Sequence, residues 1–448
     1  MSHSLPDLSR ALIEAATRAG ADSADVLARQ GTSVSIDVRC GTLEQAERSE
    51  GFEIGLRVLI GKRQACVSGS DARGEGLAMM AERAVAMARE APEDPWIGLA
   101  EPDQLSARRD AEGLEMYDPA GEPSPEAMKE AAIRTEAAAL SQAGISQVST
   151  ASAAYGESEV YLAASNGFEG GYRRSSHSLA CVAIAGTGAA MERDHDSDFR
   201  IFASDMRSPE EIGERAALRA LERQGASAPK TGSYPVLFDE RISGSLIGHL
   251  LSAANGMAVA RGSSFLRNSL GQQVLPAHLN LTEDPLRPRA TSSRPFDAEG
   301  LATAPRDIIR DGVLTGWTVD LATARKLGVD PTANAARGLT SPPSPSNWNI
   351  ELTPGTATRD ELIAQMGTGL LVTSMIGSTI NPDTGDYSRG ASGFWIENGQ
   401  IARAVNECTI AGNLRDMLAR ILPANDARPW ASMRVPSLLV EGMTLAGS

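Results

Sequence analysis

Apolar residues recur at helical spacing over Leu5–Ala19, where Leu8, Leu12, Ala15 and Ala19 share a face and Gly20 ends the run. The pattern then becomes alternating. Segments 24–29 and 33–40 read as strands, the second with Val34, Ile36, Val38 and Cys40 on one side. Segments 52–60 and 64–68 read as a hairpin across Gly61-Lys62. Residues 74–90 read as a helix with Leu77, Met80, Ala84 and Met87 in one stripe. Prolines 92, 95, 102, 119 and 123 mark a linker. Pro125, preceded by Ser124, opens a helix that runs to about Gln142.

From 145 to 202 the chain reads as strand and turn, with a hairpin signal at Asn166-Gly167 between 159–164 and 168–175. Ser208 opens a helix over 209–223, and a small, polar stretch, 224–233, follows it. A short strand at 235–238 leads into a helix over 239–254. Further strands are expected at 306–310 and 313–317, turned by Asp311-Gly312. Segments 370–376, 391–397 and 400–408 read as buried strands, the last two joined by Asn398-Gly399. A short helix falls within 409–422, and a final strand at 432–440. The fold class is α+β: an N-terminal α/β region followed by a strand-rich C-terminal domain. The expected division is 1–115, an N-terminal α/β subdomain; 116–228, a middle helix-plus-sheet region; and 229–448, the strand-rich domain.

Composition narrows the function. Lys plus Arg is 42 and Asp plus Glu 57, a formal net charge of −15. An acidic chain with 4% aromatic residues is a poor nucleic-acid or anionic-membrane binder, because counterion release needs clustered cations and single strands need stacking surfaces. No apolar run reaches the roughly 18 residues of a membrane span. The N-terminal residues lack the basic and apolar regions of a signal peptide. Cys40, Cys66, Cys181 and Cys408 are widely spaced with no CxxC, which fits a reducing cytoplasm.

Several short motifs fail on inspection. Gly186-Thr187-Gly188 lacks the third glycine of a dinucleotide fingerprint, and 55–63 misses the P-loop spacing. The aspartates of 194–198 lack the Gly and Glu of a calcium loop and read as a polar hairpin. No GxSxG or HExxH occurs. His249 has Ser245 and Ala253 four residues away, so it reads as a packed or capping histidine. The Gly-rich block 374–400 reads either as backbone that approaches a ligand, with Tyr387, Ser388 and Arg389 as polar contacts, or as tight turns between core strands.

Three blocks carry a resemblance: SYPVLFDERISGSLIGHLLSAANGMAVARGSSFL from Ser233, NPDTGDYSRGASGFWIENGQI from Asn381 and NECTIAGNL from Asn406. With the 51–60 strand and its hairpin, they resemble the TldD/PmbA family over almost the whole chain, and its PmbA (TldE) branch more than the TldD branch. The resemblance implies a TldD–TldE heterodimer that works as a zinc metallopeptidase on peptides and unfolded polypeptides. It implies that the TldD-type subunit binds zinc through an HExxxH helix and a later cysteine, with the glutamate as general base. Matched on strand 235–238, the first histidine position falls on Asp239, the glutamate is Glu240 and the second histidine position falls on Gly244. One carboxylate without imidazoles does not make a three-ligand zinc site. Cys408 precedes the usual ligand position, and no cysteine follows it. Asp239 and Glu240 then read as helix N-terminal residues favoured by the dipole.

The resemblance therefore implies a non-catalytic partner of a TldD-type subunit that holds the zinc, with no metal and no catalytic residue in this chain. Tyr387, Ser388 and Arg389 are its candidate substrate-cleft residues. The competing expectation is a stand-alone homodimeric peptide-binding or chaperone-like protein without hydrolytic activity.

Overall fold

The computed structural model describes residues 4–447, apart from the side chain of Ser378. The chain begins with α1 (Leu5–Ala19), β1 (Ser23–Arg39), β2 (Thr42–Ile60), β3 (Arg63–Gly69) and α2 (Gly74–Glu90). After the proline-rich connection the same order returns as α3 (Pro125–Leu140), β4 (Ile145–Ala164), β5 (Glu169–Ala185), β6 (Glu192–Arg200) and α4 (Pro209–Glu222). All six strands form one sheet in the order β3-β2-β1-β4-β5-β6. The two units meet where β1 runs antiparallel to β4, with Asp25 opposite Ala164 and Val38 opposite Ala151.

Helix starts follow the sequence. Ser4, Ser124 and Ser208 each accept a backbone N–H of the first turn, and each helix carries a proline there. The helices cover one face of the sheet in two pairs. Ala24, Val26 and Ala28 of β1 pack under α1 and α2 with Leu8, Leu12 and Leu77. Val34, Ile36 and Val38 pack under α3 and α4 with Met128, Ile212 and Ala216. Each fully buried Leu or Val contributes about 1.5–3 kcal/mol, so both ends of the strand are anchored. Between them Gln30 and Thr32 lie in the gap separating the helix pairs.

That gap corrects the expected strand break at 30–32. The residues there stay in register, Gln30 opposite both Phe52 and Glu159. Likewise β2 begins at Thr42 rather than at 52, its exposed first half held by pairing with β1. The 194–198 aspartates sit on the edge strand β6. Asp194, Asp196 and Asp198 alternate inwards, and His195 points out. Asp196 meets Arg207 at 2.7 Å and Arg219 at 2.6 Å, and Asp198 meets Arg200 at 2.9 Å.

The second half is built on a closed barrel. Strand β7 (Gly232–Phe238) lies between β8 (Gly369–Ile380), parallel to it, and β11 (Leu438–Ala446), antiparallel. Beyond β8 come β9 (Asp386–Glu397) and β10 (Gln400–Asn413), and β10 closes the ring by pairing with β11. Helix α5 (Glu240–Ala253) follows β7 directly. Its Leu246, Ile247, Leu250 and Leu251 join Val236, Phe238, Val372, Ile410 and Val440 in one core. Leu237, Leu371 and Leu439 face the other way, onto the helix Arg359–Met366. The final strand runs six residues later than expected, because β11 takes its partners from β7 and β10.

A smaller five-stranded sheet, which includes Leu281–Glu283, Arg306–Arg310 and Ile350–Leu352, completes this half. Its neighbouring loops lie against the helix-free face of the N-terminal sheet. Phe296 packs on Leu162, Phe168 and Tyr172. A Cβ at Gly55 would stand 2.4 Å from the Leu339 carbonyl oxygen, so β2 needs glycine at that crossing. Arg57 donates from Nε to Asp25 Oδ2 at 2.7 Å, and Arg337 contacts the other oxygen of Asp25. Among the described residues no helix is long and apolar enough to cross a membrane.

Candidate functional site

The start of α5 is where the motif of the TldD-type subunit was matched. Asp239 is the N-cap. Its Oδ1 accepts from the Arg241 backbone N–H at 3.2 Å and from Arg241 Nε at 3.0 Å. Its Oδ2 accepts from Arg359 Nη1 at 3.3 Å. Arg241 reaches on to Asp194 of β6 at 3.4 Å, which ties the barrel to the N-terminal sheet. Burial lowers the Arg241 guanidinium, but Asp239 and Asp194 outweigh it and the net shift is upward.

Glu240 lies in the first turn and holds Arg428 two-pronged, Oε1 to Nη2 and Oε2 to Nε, both at 2.6 Å. Gly244 is one turn on, and a Cβ there would come within 3.0 Å of Met433 Sδ. The three motif positions thus share a helix end but do not form a ligand set. Both carboxylates are engaged by arginines, and the third position has no side-chain donor.

A cavity of about 590 Å³ opens beside this helix end, between α4 and the helix Arg359–Met366. Its walls carry four arginines, Arg215, Arg219, Arg241 and Arg359, and five carboxylates, of Glu222, Asp239, Glu240, Asp360 and Asp426. The signs nearly balance, so the cavity has no strong preference for either charge. Among the described residues no three His, Cys, Asp or Glu side chains come together as a metal cage. The residues present therefore do not fit the zinc of a metallopeptidase, on the evidence of their arginine partners as well as their identity.

The other candidate residues lie on β9, at a different place in the barrel. Tyr387 is 3% exposed, and its hydroxyl is directed at Met375 Sδ, 3.3 Å away. Burial pushes that phenol up to about 12. Its ring meets His249 edge-on, with centroids 5.9 Å apart. Tyr387 is therefore a core side chain and offers no hydroxyl to a cleft. Ser388 and Arg389 follow it at the surface end of the strand, half-buried, with Arg389 Nε donating to the Gly377 carbonyl at 2.8 Å.

His249 packs as the sequence suggests. Burial, reinforced by Arg389, lowers its pKa, and its Nε2 is buried without a hydrogen-bond partner. The residues that sequence reasoning missed are Arg359 and Arg428. They lie about 120 and 190 positions beyond their carboxylates, so no local spacing announces them.

With this geometry in view, the comparisons place the chain. Profiles of the PmbA/TldA metallopeptidase match it in three pieces: domain 1 at residues 24–88, the central domain at 118–224 and the C-terminal domain at 231–447. The chain belongs to the PmbA/TldD family. It is 36% identical to the metalloprotease PmbA of Escherichia coli O157:H7, over 95% of this chain and 92% of that one. It is 35% identical to a PmbA homologue from Haemophilus influenzae, over 97% and 94%. Among solved structures, a Bacteroides thetaiotaomicron protein described as a candidate modulator of DNA gyrase superposes with a TM-score of 0.91. That protein is 28% identical, with 99% of both chains covered. TldE from Thermococcus kodakarensis shares the fold, with a TM-score of 0.85 at 20% identity over 98% of this chain and all of the other.

Proposed function

We propose that this chain is the PmbA/TldE-type subunit of a TldD–TldE zinc metallopeptidase complex and carries no catalytic metal of its own. The observation behind the proposal is the pairing at α5. Asp239 is held by Arg241 and Arg359, Glu240 is held by Arg428, and Gly244 has no side chain to give. In this reading the chain completes the substrate chamber for peptides and unfolded polypeptides, and a TldD-type partner brings the zinc. Its cytoplasmic setting draws support from four cysteines that are all free thiols.

The test is reconstitution. The chain is purified alone and with a TldD-type subunit, and hydrolysis of an unfolded polypeptide is followed in each. The expected result is a 1:1 complex with activity, none from this chain alone, and no loss when Glu240→Gln is used in the complex. Hydrolysis by the isolated chain overturns the proposal. A stable homodimer that ignores the TldD-type subunit and binds peptides without cleaving them favours the stand-alone binding protein instead.

A further inference from the structure

A second cavity, of about 430 Å³, lies between the helix-free face of the N-terminal sheet and the loops of the second half. Its size is that of a small-ligand site. Arg29 from β1, Arg174 from β5, Arg294 and Arg337 all line it, in a chain whose net charge is −15. Leu27, Val160, Leu162 and Phe296 supply an apolar wall.

Only part of this positive charge is balanced. Arg337 is spoken for: its side chain is fully buried and contacts Asp25. Asp297 is the one carboxylate in the lining, and it already accepts three backbone N–H groups, from Glu299, Leu301 and Ala335. Arg29, Arg174 and Arg294 make no ion pair among the described residues. Glu53 stands across from Arg29 on β2 without pairing to it. Arg174 donates only to the Thr291 and Ser293 carbonyls. Arg294 donates Nη1 to the Tyr172 hydroxyl at 3.3 Å, stacks over Trp348 and leaves a buried Nε without a partner. Burial lowers the Arg174 guanidinium; Tyr172 opposes this, and the nearby charges of Arg294 and Arg29 add to it.

Like charges gathered at an apolar wall cost free energy unless an anion joins them. We infer that this cavity binds an apolar carboxylate, its oxygens held by Arg29, Arg174 and Arg294 and its hydrocarbon body laid on the Leu27, Val160, Leu162 and Phe296 wall. Guanidinium groups match a carboxylate in shape and hold it through charge-assisted bonds. A bare anion would leave the apolar wall wet. The carboxylate has two sources with the same chemistry, a free organic acid or the C-terminus of a short peptide. The inference does not depend on the metallopeptidase reading, because none of its residues belongs to the α5 site.

Calorimetry on the full chain tests it with four probes: 4-phenylbutyrate, an acetylated Leu-Phe dipeptide with a free carboxyl, the same dipeptide as its amide, and inorganic phosphate. Arg29 is exposed and makes no hydrogen bond among the described residues, so Arg29→Gln keeps the fold; circular dichroism checks this. Saturable 1:1 binding of either acid is expected, weakened about tenfold by Arg29→Gln and at least as much by amidation. Binding of phenylbutyrate alone assigns the free acid, and binding of the dipeptide acid assigns a peptide terminus. No binding of either acid overturns the inference. So does equal affinity for the amide, phosphate affinity matching phenylbutyrate, or binding that Arg29→Gln leaves unchanged.

Discussion

At the N-terminus of α5, carboxylates and arginines come together and neutralise one another; in the cavity beneath the N-terminal sheet, arginines come together and carboxylates do not. Asp239 and Glu240 stand at the matched motif positions, yet each is closed by guanidinium groups within 3.3 Å. Arg29, Arg174 and Arg294 belong to no motif, yet their charges converge unpaired on an open volume. A charged side chain signals a ligand when the fold leaves its charge unbalanced. A chemically suggestive residue whose partners come from its own chain is holding the structure together.

The largest expected effect is at Asp239. Asp239→Ala removes the cap of α5 and takes one carboxylate from the largely buried Arg241, which keeps Asp194, and from the more exposed Arg359, which keeps Asp360. Losing the cap and one carboxylate of this network costs on the order of 2–3 kcal/mol together. Urea denaturation measures it, and a loss below about 0.5 kcal/mol would break the comparison, since Asp239 would then be free for another role.

Glu299 sharpens the comparison from the opposite side, as a buried carboxylate without an arginine partner. Burial, with Asp297 and Asp320 nearby, raises its pKa well above the ordinary 4.5. A raised carboxyl keeps its proton better in the folded state, so its contribution is present below the unfolded value and lost as pH rises through the folded one. Glu299→Gln preserves an acceptor for the Leu321 N–H and abolishes the titration. The variant is expected to match the parent near about pH 5 and exceed it by on the order of 1–3 kcal/mol near about pH 9. Thermal or urea unfolding at the two pH values decides; a variant less stable at the higher pH contradicts the sign.

Smaller effects follow. Glu240→Gln weakens a partly exposed two-pronged pair with Arg428, for a cost of about 1 kcal/mol or less. Arg29→Gln is expected to change stability by no more than about 0.5 kcal/mol, and in the stabilising direction, because it relieves repulsion without breaking a bond. A clear loss of stability there would mean that Arg29 has a protein partner and that the cavity's charge is balanced.

Much of the framework was legible in the sequence because local chemistry decides it. Ser124-Pro125, Asn166-Gly167 and Asn398-Gly399 mark a helix start and two hairpins, and the structure has them in those places. In the last turn both residues take positive φ, 53° and 73°. Asp239 reads as a helix N-terminal residue once the matched metal motif fails, and it is the N-cap of α5.

What escaped is set by partners distant in sequence. The segment 42–51 shows no alternation because both its faces are wet; only pairing with β1 makes it a strand. Tyr387 sits among polar and glycine neighbours, and its burial follows from barrel closure around α5. The arginine cavity draws on residues 29, 174, 294 and 337, a spacing with no periodic signature.

The central proposal is that this chain holds no catalytic metal, and zinc content tests it most directly. The chain is purified alone, equilibrated with zinc, passed through gel filtration and analysed for metal against protein. The account predicts less than about 0.1 zinc per chain, because Asp239 and Glu240 are held by arginines and Gly244 offers no ligand. A value near one zinc per chain, lost together with hydrolytic activity on chelation, would contradict it.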